Sequence, residues 1–182
     1  MTETDVSEVL RFWFEELEEA QWFKVDPAVD QRIRDRFLAL HERLAQELPA
    51  DATSVPSVAL ATVIALDQFP RNMFRGTPRA FSTDTQALQV ASEAVDLGID
   101  VLLTPQERVF LYLPFEHAED AAAQAQSVAL FEKLGEANFL EYAKRHKVII
   151  DRFGRFPHRN AILGRVSTPE EVAFLREPGS SF

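Results

Sequence analysis

A chain of 182 residues lies in the size range of one domain, and a chain near 150 residues already buries roughly two-thirds of its unfolded surface, so a core forms without staples. It contains no cysteine, which excludes disulfides, thiolate nucleophiles, thiolate metal sites and redox switching through sulfur. A net charge of −10 and a pI near 4.9 oppose general DNA or RNA binding, which needs cations to displace counterions from phosphates.

Helix signals recur from end to end, and no run of alternating β-branched residues builds a sheet, so the predicted class is all-α. Asp5 and Glu8 form a capping box before Val6, Val9, Leu10, Trp13 and Leu17, whose three-and-four spacing makes one apolar stripe. Asp26-Pro27 supplies an N-cap and an N1 proline, after which Val29, Ile33, Phe37, Leu40, Leu44 and Leu48 hold one face. The segment from Ser57 to Gln68 is apolar nearly all round, as a central helix enclosed by others should be, and Phe69-Pro70 is expected to end it.

Thr83 and Gln86 box the start of a helix that Gly98 closes. Thr104-Pro105-Gln106-Glu107 opens a short helix that Pro114 is expected to stop. Two more helices are predicted, about Glu119 to Leu134 and Glu136 to Phe153, stopped near Gly135 and Gly154, and Thr168-Pro169-Glu170-Glu171 opens the last. About eight helices on short loops imply antiparallel neighbours, hence a bundle or a helix-hairpin superhelix. We expect one domain over residues 1–182, fraying only in the first few residues and from Pro178 to Phe182.

The start, Met1-Thr2-Glu3-Thr4-Asp5, lacks the basic n-region and apolar run of a signal peptide. The longest strongly apolar stretch, Val58 to Leu66, is about half of the roughly 20 residues a bilayer span needs. The expected setting is cytoplasmic, with no membrane partner.

Charge is unevenly placed. Arg71 to Ala80 holds three arginines and no acid, and Arg152 to Arg165 holds Arg152, Arg155, Arg159 and Arg165 with His158, again without an acid. These islands fall in an internal echo: Leu66-Asp67-Gln68-Phe69-Pro70-Arg71-Asn72, closing at Gly76, is matched by Asp151-Arg152-Phe153 and then Phe156-Pro157-His158-Arg159-Asn160, closing at Gly164.

One reading is a repeated helix-stop device in which Phe anchors the turn, Pro breaks the helix, Asn caps the next turn and Arg pairs with Asp. The other is a ligand pocket. If the two turns met with only Asp67 and Asp151 nearby, like charges at ~6 Å and an effective ε of ~20 would repel by about 3 kcal/mol, so an anion should sit between them. On that reading Arg71, Asn72, Arg75, Arg155, Arg159, Asn160 and Arg165 bind a small phosphate- or carboxylate-bearing molecule.

Asp67, His117 and His158 are then the candidate acid/base residues, should the protein turn a substrate over. Glu116-His117-Ala118-Glu119-Asp120 sets an imidazole among acids, which suits proton transfer but also suits the negative start of a helix. His146 reads as a hydrogen-bonded core histidine and His41 as a solvated one. No His-Glu-x-x-His or other short metal spacing, no Gly-x-Gly-x-x-Gly, no phosphate loop and no Gly-x-Ser-x-Gly elbow occurs, so neither a metal nor a cofactor is expected.

These residues carry a resemblance. Phe12-Trp13-Phe14, Trp22-Phe23, Leu66 to Asn72, Tyr112-Leu113-Pro114 with Glu116-His117, and above all Phe153 to Asn160 with Leu163-Gly164-Arg165 make the chain similar to a bacterial family known as domain of unknown function 924. The resemblance covers nearly the whole length and implies a tetratricopeptide-like array of about eight antiparallel helices, although no strict repeat of that length is visible. It implies no activity, cofactor or catalytic residue. The chain departs from the family pattern at Glu15, where the pattern has glycine, in lacking a tryptophan between Leu48 and Leu60, and at Ala118, where it has serine, which weakens any role for a hydroxyl beside His117. The expected function is binding of a small anionic metabolite in an arginine-rich pocket. The alternative is a helical adaptor for a protein partner whose Phe-Pro turns are purely structural.

Overall fold

Thr2 starts the first helix. In the computed structural model of the chain, which describes residues 1–181, its hydroxyl accepts from Asp5 N while the Asp5 carboxylate accepts from Thr2 N, at 3.1 and 3.0 Å. The capping box therefore lies three residues before the expected Asp5/Glu8 pair, because a hydroxyl and a carboxylate at that spacing already satisfy the end. Helix α1 spans Glu3–Arg11 and widens into a π-turn, Phe12–Glu16. There follow α2 (Glu19–Trp22), α3 (Pro27–Gln46), α4 (Pro56–Val63), a second π-turn (Ile64–Gln68), α5 (Phe69–Met73), α6 (Asp84–Asp96), α7 (Pro105–His117), α8 (Ala121–Leu134), α9 (Ala137–Phe153) and α10 (Pro169–Phe174), with 3-10 turns between some of them. Every regular element among the described residues is helical. Among the described residues no helix is long and apolar enough to cross a membrane.

Asp26 caps α3 as expected, accepting from Ala28 N and Val29 N. Two prolines do not stop their helices. Pro114 lies inside α7, and Pro70 lies inside α5, which continues directly from the second π-turn.

The π-turn explains how Pro70 is tolerated. Phe69 N donates to Ile64 O, five residues back, so the Ala65 carbonyl loses its helical donor. Leu66 O faces Pro70, four residues on, which has no N–H. Side chains fill both places: His41 Nδ1 lies 2.9 Å from Ala65 O, and the Thr83 hydroxyl donates to Leu66 O at 2.6 Å.

The first π-turn follows the same accounting. Leu17 N donates to Phe12 O, and the Trp13 carbonyl so released accepts the Trp22 indole N–H at 2.8 Å. His41 is thus buried and fixed, not solvated. Thr83 and Gln86 bind Leu66 O and Ala45 O across helices instead of forming the expected box.

Contacts gather the chain into two compact units. The first, residues 1–75 and 79–114, packs α3 against α5 and α4 against α1 and α6. Its centre is α4 with the following π-turn, buried from Val58 to Phe69 as the all-round apolar pattern predicts. Phe12, Phe37 and Phe69 meet there, with ring centroids 4.6–6.2 Å apart.

The second unit, residues 76–78 and 115 onward, is built on the α8–α9 hairpin. Gly135 turns that hairpin at φ +83°, a left-handed conformation glycine adopts without a Cβ penalty. Phe156 packs on Ile149 and Ile150, with Phe153 and Phe174 beside them. In the stretch expected to fray, Ser180 is buried and bonded to Leu175 O; Phe182 lies outside the described residues.

Candidate functional site

In the first unit the π-turn carries Asp67, which is fully buried. The Gln68 amide donates to it, and Arg71 Nη1 lies 3.2 Å from its Oδ1. Arg71 also makes a two-pronged pair with Asp84, at 2.9 and 3.0 Å. Asp30 receives both Asn72, at 2.7 Å, and Arg75, through Nε at 3.0 Å and Nη2 at 2.9 Å.

The second unit repeats this device with glutamates. Arg155 grips Glu171 through Nε at 2.7 Å and Nη2 at 2.9 Å, and these hydrogen bonds hold the Glu171 carboxyl down at about 2 against the opposing effect of burial. Arg165 grips Glu119 at 2.6 and 2.8 Å, and its Nε donates to Asn160 Oδ1 at 2.9 Å. Burial raises the Glu119 carboxyl, but bonds from Arg165 and from Phe156 N bring it below the usual range. Asn160 donates onward to Ser167 Oγ.

Arg71, Arg75, Arg155 and Arg165 therefore each have a bidentate carboxylate partner within their own unit. The sequence charge balance placed only Asp67 and Asp151 near the turns. It missed Asp30, Asp84, Glu119 and Glu171, which are 13 to 46 residues away in sequence from the arginines they pair with, while Asp151 binds Lys147. The echo is also less deep than it reads: Phe69-Pro70 lies within a helix, whereas Pro157 opens a 3-10 turn after Gly154 has ended α9. Asn72 lies inside α5 with its side chain on Asp30, and the Asn160 side chain bonds Ser167 and Arg165, so neither opens a helix as a cap.

A different group gathers around the buried Phe156 ring. The Arg159 guanidinium stacks over it at 4.5 Å, and the His146 and His158 rings sit at 5.5 and 5.6 Å. His117 lies 6.4 Å from His146. His146 Nδ1 is 2.9 Å from Tyr142 O and 3.2 Å from Glu116 Oε1. A carbonyl can only accept, so Nδ1 carries the proton and Nε2 is the basic nitrogen.

Glu119 accepts from Phe156 N at 2.8 Å and thereby anchors the turn that presents His158 and Arg159. Burial first, and then the surrounding imidazoles and the Arg159 guanidinium, push His146 down to about 3. Burial and then Arg159 push His158 down to about 4. Both rings are neutral at pH 7.

The structure thus brings His117, His158 and Arg159 together in one unit and adds His146 and Glu116, which sequence reasoning had left aside. The available signal was spacing: His146 shares a helical face with Ile149 and Ile150, and that face ends at the Phe156 turn. Asp67, Arg71, Asn72 and Arg75 belong to the other unit.

Fold and site define an all-helical protein with two carboxylate-clamped arginine turns and a partly buried histidine–arginine cluster. The chain belongs to the family described as "Bacterial protein of unknown function (DUF924)", which matches residues 9–179. It is similar to a solved protein of unknown function from Agrobacterium tumefaciens, at 41% identity over 97% of this chain and 99% of that one, with a TM-score of 0.91. No curated protein matches the chain.

Proposed function

We propose that the protein binds a small anionic metabolite, bearing phosphate or carboxylate, at the cluster of His117, His146, His158 and Arg159. The observation that carries this reading is two imidazoles, His146 and His158, and the Arg159 guanidinium collected on the buried Phe156 ring, with His117 6.4 Å from His146. Burying such groups costs stability, and a core of this size is more simply filled with apolar side chains. Perturbed histidines gathered in one place are also what acid/base sites use.

Arg159 supplies the permanent positive charge. His158, which burial and then the same charge hold neutral, gains a proton more readily once an anion lies beside it, because a nearby opposite charge raises an imidazole pKa. Binding would then couple to protonation, and His117 or His158 could serve as acid or base. The arginines already held by carboxylates act as staples that hold the turns, so the pocket needs fewer guanidiniums than the sequence suggested.

The test is a histidine-detected NMR titration of the wild-type protein with inorganic phosphate, phosphorylated metabolites and dicarboxylates. The expected result is saturable shifts of His117 and His158 with a rise in the His158 pKa, while His41 stays put. If no compound at millimolar concentration moves these resonances, the anion reading fails. The adaptor reading, in which the partner is a protein, predicts that null result.

A further inference from the structure

Helix α8 buries one face, composed of Ala123, Gln124, Ser127 and Phe131. The Gln124 amide nitrogen is 2.6 Å from Glu116 O, 2.9 Å from Ala118 O and 3.4 Å from Phe115 O. Three carbonyl acceptors around one end of the side chain fix which end is NH2. That group ties down the end of α7, the backbone that carries Glu116 and His117.

The opposite end, Gln124 Oε1, has no hydrogen-bond partner among the described residues, and neither has Ser127 Oγ. Both residues are fully buried. At i and i+3 they are neighbours on the helix surface. In an antiparallel hairpin turning at Gly135-Glu136, residues equally far from the turn face each other, which sets Gln124 and Ser127 opposite the stretch of α9 that buries Ala143 and His146. Ser127 and Ala143, both fully buried, are small side chains.

An amide oxygen and a hydroxyl left unpaired in a closed interior are costly, and a donor between them removes the cost. We propose that Gln124 Oε1 and Ser127 Oγ form an enclosed subsite for a single O–H group beside His146. The subsite itself stands on the hairpin alone. Its extension to the ligand rests on the anion reading above: if the O–H belongs to the ligand, the ligand is a hydroxylated anion such as a hydroxy acid or a sugar phosphate; otherwise the O–H is a resident water.

Ser127→Ala decides whether the subsite exists, because the sign of its effect differs. With an O–H bound, the variant loses a hydrogen bond, and Tm falls by about 2–4 °C. With the pair empty, removing a lone buried hydroxyl leaves Tm unchanged or raises it, and the proposal is overturned.

Calorimetric titration with malate against succinate, and with glycerol 3-phosphate against propyl phosphate, identifies the source. A preference of roughly tenfold or more for the hydroxylated member, abolished in Ser127→Ala, assigns the O–H to the ligand. A fall in Tm without any such preference assigns it to water and overturns the ligand extension. If none of the four anions binds the wild type, it is the anion reading that fails, while the sign of the Tm change still decides the subsite.

Discussion

Replacing Thr83 by valine keeps the side-chain shape and removes only the hydroxyl that donates to Leu66 O at 2.6 Å. Both residues are buried, and Pro70, four positions on, brings no N–H to the carbonyl. An orphaned buried acceptor costs about 1–3 kcal/mol. For a chain of this length each kcal/mol lowers Tm by roughly 2–4 °C, so Thr83→Val should lose roughly 2–12 °C. Pro70→Ala restores an N–H near the same carbonyl, and in that background the valine substitution should cost about 1 kcal/mol less. Calorimetry or thermal circular dichroism on the wild type, the two single variants and the double variant completes the cycle. An unchanged Tm for Thr83→Val, or strictly additive effects, would refute the accounting given for the π-turn that displays Asp67.

The histidine cluster makes stability depend on pH. His146 and His158 titrate at about 3 and about 4 in the folded protein, against 6.5 for the free side chain. The unfolded chain therefore takes up protons first, and stability present above about pH 6.5 is lost as pH falls toward those values. Between pH 6.5 and 5, where most carboxylates remain charged, Tm should drop measurably and drop less in His158→Asn; a flat Tm in both proteins argues against buried neutral rings. Arg75, half exposed in its pair with Asp30, should contribute at most about 1 kcal/mol, so Arg75→Ala should shift Tm by no more than a few degrees and leave anion affinity unchanged; a large loss of affinity would return Arg75 to the pocket. Arg165→Met removes the clamp that holds Glu119 against the Phe156 turn and leaves a half-buried carboxylate without its ion pair, which should cost a few kcal/mol and broaden the His158 resonance; a sharp, unshifted His158 signal would show that the Arg165 clamp does not position the turn.

Local chemistry was legible in the residues themselves. The helical class, the Asp26-Pro27 start, the Thr168/Glu171 box, the Gly98, Gly135 and Gly154 stops and the enclosed Val58 to Leu66 helix all follow from spacing and backbone preference, which act within a turn or two of chain. Neither Pro70 nor Pro114 ended a helix, and His41 was not solvated. In the cases of Pro70 and His41 the deciding partner came from afar: His41 is 24 residues from Ala65 and Thr83 is 17 from Leu66. The arginine islands show the same limit. Charge counted along the chain suggested a surplus, but guanidiniums pair through space, and Asp30, Asp84, Glu119 and Glu171 reach them only once the helices pack. Sequence by itself determined which residues were available for a site. Tertiary structure decided which of them are clamped and which meet around Phe156, because pairing and burial depend on distances that local preferences do not set.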